Sequence, residues 1–238
     1  MGGHDPCRRD RVDDRCSRGS GRPDWDTGTL VTIAADEVAR LRQCLAGDGV
    51  AIVPTDTVYG LACNPDGERA LRRIYELKRR PPHKPAAVMF FSLGAALATL
   101  SELGPRTQAA AQALLPGPVT LLLANPRGCY PGACAPGGDG PGLLGLRVPA
   151  FTGPLVALET IALPAAQSSA NFAGEPDPRA LAEVPAELRE GADLVLDGGE
   201  LPGTASTVLD LSRYERKGEW RVVRSGPVGV QTLVDALG

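Results

Sequence analysis

Two short runs in this sequence combine residue types that could grip an anionic ligand. In YELKRRPPHKP (75–85), Lys78, Arg80 and Lys84 fall close together, although the chain holds only one other lysine, Lys217. An ammonium is a compact point charge and a guanidinium a planar fork, so a Lys-x-Arg pair suits a polyphosphate. In SSAN (168–171), Ser169 and Asn171 offer short donors and acceptors two residues apart. They could hold a phosphate or ribose, or simply stabilise a turn. Thr55, Asp56 and Thr57 in PTDTVYG pose the same choice between a small polar ligand and a hydroxyl-stabilised turn. Arg147 stands inside the apolar run LLGLRVP. An unpaired charge there is costly, so an internal carboxylate or a substrate carboxylate must meet it.

These residues need elements to aim them. In GERALRRIYELKRR (67–80), Leu71, Ile74 and Lys78 share one helical face, which puts Lys78 at the C-terminal end of the apolar side. A stem that merely snorkels over the core edge is the bland reading of Lys78. Pro81 disfavours helical geometry at Arg80, so Arg80 is expected to leave the helix extended. Pro81 and Pro82 then stiffen a turn, Lys84 returns a third charge, and Arg79 is expected to face solvent. VAIVP (50–54), AAVMFF (86–91), VTLLLA (119–124), LLGLRVP (143–149), IALPAAQ (161–167), ADLVLDGG (192–199), ASTVLDLS (205–212) and EWRVVRSG (219–226) read as strands. Segments 36–49, 67–80, 93–100, 105–115, 151–160 and 230–238 read as helices. Strands and helices mix without a strict βαβ rhythm, which predicts an α/β (α+β) sheet with some antiparallel pairing. Residues 1–28 are rich in Arg, Asp and Gly and nearly free of aliphatic residues. They are expected to form a solvated tail, with 29–238 as the folded domain.

Composition removes several function classes. Net charge is −3 and aromatic content 4%, which disfavours a stacking platform for single-stranded nucleic acid. No apolar run approaches the ~18 residues of a membrane span. The six cysteines form no C-x-x-C pair and the two histidines lie far apart, so a structural zinc site is not expected. With no hydrophobic signal peptide, a reducing compartment is expected: the cytoplasm, with mitochondrion or plastid as alternatives. Arginines at the N-terminus suggest a transit peptide, and the aspartates among them argue against one. Gly140-x-Gly142-x-x-Gly145 lacks the strand before and the helix after that a dinucleotide fingerprint needs.

Taken in order, PTDTVYGLAC, IYELKRRPPHKP, LLPGPVTLLL, LRVP, SSAN…GEP, STVLDL and VVRSGPV are similar to the YrdC-type threonylcarbamoyl-AMP synthases in their single-domain form. The similarity runs from about Val50 to Val228. It implies a twisted mixed sheet with a concave cationic cavity. It also implies a nucleotidyltransferase that makes threonylcarbamoyl-AMP and pyrophosphate from L-threonine, bicarbonate (or CO2) and ATP with Mg²⁺. A downstream threonylcarbamoyl-transferase complex would use the product to modify an adenosine beside the tRNA anticodon. By resemblance, Lys78, Arg80, Ser169 and Asn171 form the catalytic signature. Arg80, Lys84, Ser169 and Arg224 meet ATP, and Thr57, Arg147 and Ser206 meet threonine. No protein metal site is implied. Asp177 departs from the pattern: an acid beside phosphates is repulsive unless it binds Mg²⁺ or points away. Two other readings remain. One is a related carbamoyl-adenylating domain like that of hydrogenase-maturation carbamoyltransferases. The other is a non-catalytic module for double-stranded RNA or tRNA.

Overall fold

A computed structural model describes residues 31–79, 85–134 and 142–238. The tail expected at 1–28, and Arg80 and Lys84, lie outside the described residues. The chain runs α1 (Ala35–Ala46), β1 (Val50–Val53), β2 (Gly60–Cys63), α2 (Glu68–Leu77), β3 (Ala87–Met89), α3 (Leu93–Thr99) and α4 (Pro105–Leu114). It continues through β4 (Val119–Asn125), β5 (Gly142–Arg147), β6 (Ala165–Ser169), α5 (Ala186–Gly191), β7 (Leu194–Val195), β8 (Thr207–Asp210), α6 (Tyr214–Lys217), β9 (Arg221–Arg224) and α7 (Val230–Leu237).

The described strands form one sheet in the order β7-β1-β2-β6-β3-β5-β4-β8-β9. Pairs β1–β7, β3–β5 and β4–β8 are parallel, and the other neighbours are antiparallel. The expected mixed sheet is therefore present. Alternation assigns its two faces. In β4, Val119, Leu121 and Leu123 are buried in the core, and in β5 Leu144 and Leu146 do the same. The intervening residues turn to the other face, where the candidate site lies. Helices cover the apolar face: α1 buries Val38, Leu41 and Leu45, and α2 buries Ala70, Leu71 and Ile74. The α1 start is fixed by Ala34 N–H donating to Glu37 Oε2 at 2.8 Å.

Several boundaries differ from the sequence expectation for identifiable reasons. Helix α2 ends at Leu77, not at 80. Lys78 caps it, and Arg79 takes a left-handed φ of 51°, the usual way to stop a helix, though glycine is the usual residue. The short helix expected at 151–160 is present as a 3₁₀ helix over Gly153–Thr160. The strand expected from Ile161 begins at Ala165, because Pro164 has no N–H to give a ladder. The run 192–199 contributes only Leu194 and Val195. Strand β2 and helix α6 were not expected. β2 is four residues long and begins with glycine, though all four are buried. Gly142 and Gly145 sit inside strand β5, beside β4 and β3, and not in a turn that opens a helix, so the dinucleotide reading stays rejected. Among the described residues, no helix is long and apolar enough to cross a membrane.

Candidate active site

The sheet face opposite the core forms the floor of a cavity of about 260 Å³. Alternation picks the floor residues: Gln167 and Ser169 from β6, Ala87 from β3, Leu143, Gly145 and Arg147 from β5, Thr120 and Leu122 from β4, and Val208 from β8. Across the strands, Ala62, Gln167, Ala87, Gly145 and Leu122 align in one row. Ala62, Ala87 and Gly145 are small, so the middle of the sheet leaves room for a ligand.

The loop after β1 crosses this floor. Strand β1 lies four strand spacings from β5, about 19 Å at ~4.8 Å each. Even so, Asp56 forms an ion pair with Arg147 and its other oxygen accepts from Ala150 N at 3.0 Å. Arg147 Nη1 also donates to Gly117 O and, at 3.3 Å, to Val119 O. Of the two partners left open by the sequence, the internal carboxylate is present. Arg147 is 3% exposed. Burial pulls its pKa below the ordinary arginine value, Asp56 works against that, and the neighbouring Arg224 adds to it. The same loop is braced at its far end. The Tyr59 hydroxyl lies 3.0 Å from Asp197 Oδ1 and 2.8 Å from Gly199 O, and accepts from Gly198 N at 2.9 Å.

Within the loop, Thr55 Oγ1 donates to Val58 O at 2.7 Å and accepts from Thr57 N at 3.2 Å and Val58 N at 3.3 Å. Its one proton is committed, so in the 3.0 Å Thr55–Thr57 hydroxyl pair Thr57 is the donor. Thr57 Oγ1 therefore presents acceptor lone pairs. The hydroxyl-stabilised turn is real, and Thr57 also lines the cavity.

The second corner is built on Lys78, which is 1% exposed. Its ammonium donates to Ser169 O, to Asn171 O at 2.8 Å and to Asn171 Oδ1 at 3.0 Å. Ser169 Oγ donates to the same Asn171 oxygen at 2.6 Å. Asn171 Nδ2 donates to Glu175 O at 2.5 Å, and Ala173 N–H returns to Lys78 O at 3.1 Å. Lys78 is thus more than a snorkelling stem: it ties the end of α2 to the turn after β6. Ser169 faces the cavity, while Lys78 and Asn171 stand behind it as its support. Arg79 is exposed as expected, but it also pairs with Glu187 at 2.8 Å and lies 4.4 Å over the Phe172 ring.

On the opposite wall, Thr120 Oγ1 and Ser206 Oγ are 2.8 Å apart. Arg224 donates to Ser206 O through Nε at 3.1 Å and Nη2 at 2.9 Å, and to Ser206 Oγ at 3.2 Å. Gly226 permits this approach, because a Cβ there would lie 2.4 Å from Thr207 N. Asp177 lines the cavity as well. The charged residues of the described lining are Arg147, Arg224 and Asp177. Thr57, Arg147, Ser169, Ser206 and Arg224 are brought together on this one cavity. Thr120 and Gln167 were missed by sequence reasoning; each sits at an inward position of a strand whose other inward residues are small or apolar, and that alternation was the available signal. Cys63 is buried in the core and is not part of the cavity lining, and burial pushes its thiol up to about 12.

The family described as telomere recombination, Sua5/YciO/YrdC, matches residues 43–226. The chain belongs to this family. Among curated relatives, the threonylcarbamoyl-AMP synthase of Pyrococcus abyssi is 33% identical over 178 residues, covering 74% of this chain and 49% of the relative. That of Chromohalobacter salexigens is 35% identical over 190 residues, covering 76% and 94%. The crystal structure of P. abyssi Sua5 complexed with L-threonine superposes with a TM-score of 0.70 at 26% identity, covering 84% of this chain and 57% of that one. The chain spans about half the length of the first curated relatives it matches. In this Sua5/YciO/YrdC member, the mixed parallel and antiparallel sheet with its helices is the family's fold.

Proposed function

We propose that this protein is an L-threonylcarbamoyladenylate synthase. The observation that carries the reading is the convergence of Thr57, Arg147 and Ser206 with Ser169 and Arg224 on one cavity, in a chain similar to threonylcarbamoyl-AMP synthases. The threonine complex of the P. abyssi relative supports threonine as one substrate. Thr57 and Ser206 meet its polar groups, and Arg147 meets its carboxylate with the guanidinium edge not held by Asp56. Arg224 and Ser169, with Arg80 and Lys84, hold the ATP phosphates. Ser169 then turns its proton from Asn171 to phosphate, while Lys78 keeps the turn in place.

In the reaction, the threonine amine attacks the carbon of bicarbonate and loses water, giving a carbamate. A carbamate oxygen then bonds to the α-phosphorus as pyrophosphate leaves with the electron pair. The protein's part is to align the reactants and to stabilise charge on the departing phosphates. Mg²⁺ bound with ATP would neutralise phosphate charge, held mainly by phosphates and water, and Asp177 on the cavity wall would be the residue to add a carboxylate. The product then goes to a threonylcarbamoyl-transferase complex acting on tRNA, in the cytoplasm or in an organelle with its own translation. The test is pyrophosphate release from ATP that requires both threonine and bicarbonate; release with either omitted, or none with all present, removes this reading.

A further inference from the structure

Gln167 is a polar side chain in the middle of the cavity floor that the fold does not use. Its backbone pairs with Ala62 and Ala87, but its amide has no hydrogen-bond partner among the described residues. Its position is well defined nonetheless. A Cβ placed on Gly60 would lie 2.2 Å from Gln167 Nε2 and 3.1 Å from its side-chain carbonyl carbon. The amide therefore lies over Gly60, where the Thr55–Tyr59 loop enters β2. Along β6, Gln167 stands one inward step from Ser169. The other neighbouring step, Ala165, pairs with Met89, which pairs with Arg147. Gln167 thus occupies the stretch of floor between the corner assigned to phosphate and the corner assigned to the threonine carboxylate.

We propose that Gln167 contacts the carbamate formed from threonine and bicarbonate. This deepens the functional reading above and rests on it. The amide offers a donor beside an acceptor, which matches a carbamate: the N–H of Gln167 donates to one carbamate oxygen and its carbonyl accepts from the carbamate N–H. The other carbamate oxygen stays unbound and bonds to the α-phosphorus as pyrophosphate departs. A neutral amide suits this place. A further cation would hold the oxygen in the ground state and blunt its attack, whereas a carboxylate would repel it.

The test is a pyrophosphate-release assay on the full chain with ATP, Mg²⁺ and threonine in degassed buffer, titrating bicarbonate. Gln167→Ala is expected to raise the bicarbonate KM by roughly tenfold, the scale of one lost hydrogen bond to an anion, while the ATP and threonine KM values stay within about twofold. Gly60→Ala keeps Gln167 but displaces its amide, and is expected to raise the bicarbonate KM in the same way. The Gly60→Ala/Gln167→Ala double variant should be no worse than Gln167→Ala, because both remove one contact. A bicarbonate KM within about twofold of wild type in Gln167→Ala, or an equal rise for all three substrates, overturns the proposal and leaves the functional reading intact. A wild-type chain that releases no pyrophosphate overturns both. Should Gly60→Ala perturb folding, Gln167→Ala alone decides.

Discussion

Lys78 and Arg147 are both buried cations, and the structure accommodates them by different means. Arg147 meets a full opposite charge on Asp56, a residue 91 positions away. Lys78 donates to uncharged oxygens of a single turn, Ser169 O, Asn171 O and Asn171 Oδ1. The first arrangement joins the ends of two distant strands across the cavity-bearing face of the sheet, and its cost on breaking is an uncompensated charge. The second secures one local turn, and its cost on breaking is a set of acceptors left without a donor. A ligand at the Arg147 corner meets a cation already offset by a carboxylate. At the Lys78 corner it meets Ser169, held in place by the cation behind it.

Asp56→Ala should have the largest effect. It strands the Arg147 guanidinium and is expected to cost about 3–5 kcal/mol in urea unfolding. Adding Arg147→Met to Asp56→Leu should recover most of that, since a buried ion pair replaced by apolar groups is often near neutral. A loss below ~1 kcal/mol for Asp56→Ala would erase the contrast. Lys78→Met comes next, at about 2–3 kcal/mol, because it orphans the buried acceptors Ser169 O, Asn171 O and Asn171 Oδ1. Faster amide exchange at Ala173, whose N–H bonds to Lys78 O, would confirm that the turn loosens. Arg224→Ala should barely move stability, because Arg224 is exposed. Its expected signature is an ATP KM raised about tenfold, an effect that shrinks with added salt. The smallest effect is expected at Arg79. Its exposed ion pair and ring contact are together worth ~1 kcal/mol. Arg79→Gly should be milder than Arg79→Ala, since glycine relieves the left-handed φ, and pyrophosphate release should stay near wild type in both.

Much of this fold could be read from local pattern. The apolar runs at 50–53, 87–89, 119–125 and 142–147 became strands, because continuous or alternating burial leaves few other options. The faces of α1 and α2 followed from helical spacing. Where reading failed, tertiary contacts had decided the outcome. Helix α2 stops at Leu77 because Lys78 turns to a chain segment about 90 residues later, and nothing local in RRIYELKRR marks that. Strand β2 was not expected, because Gly60 and three small or apolar residues carry little strand signal until β1 and β6 flank them. At the site, the need for an anion opposite Arg147 was legible from its apolar surroundings. That the anion is Asp56 was not, since pairing across four strand spacings depends on how the sheet and the β1 loop curl together. Gln167 was hidden for the opposite reason: it makes no contact that the fold requires.

Under the proposed function, one cavity brings carbon, threonine and nucleotide together. The most direct measurement is the mass of the nucleotide product formed from ¹³C-bicarbonate, unlabelled L-threonine, ATP and Mg²⁺. The account predicts one adenylate adduct that carries both a threonine and a single ¹³C, formed in step with pyrophosphate. An adenylate lacking the label, or pyrophosphate released at the same rate without bicarbonate, would contradict it.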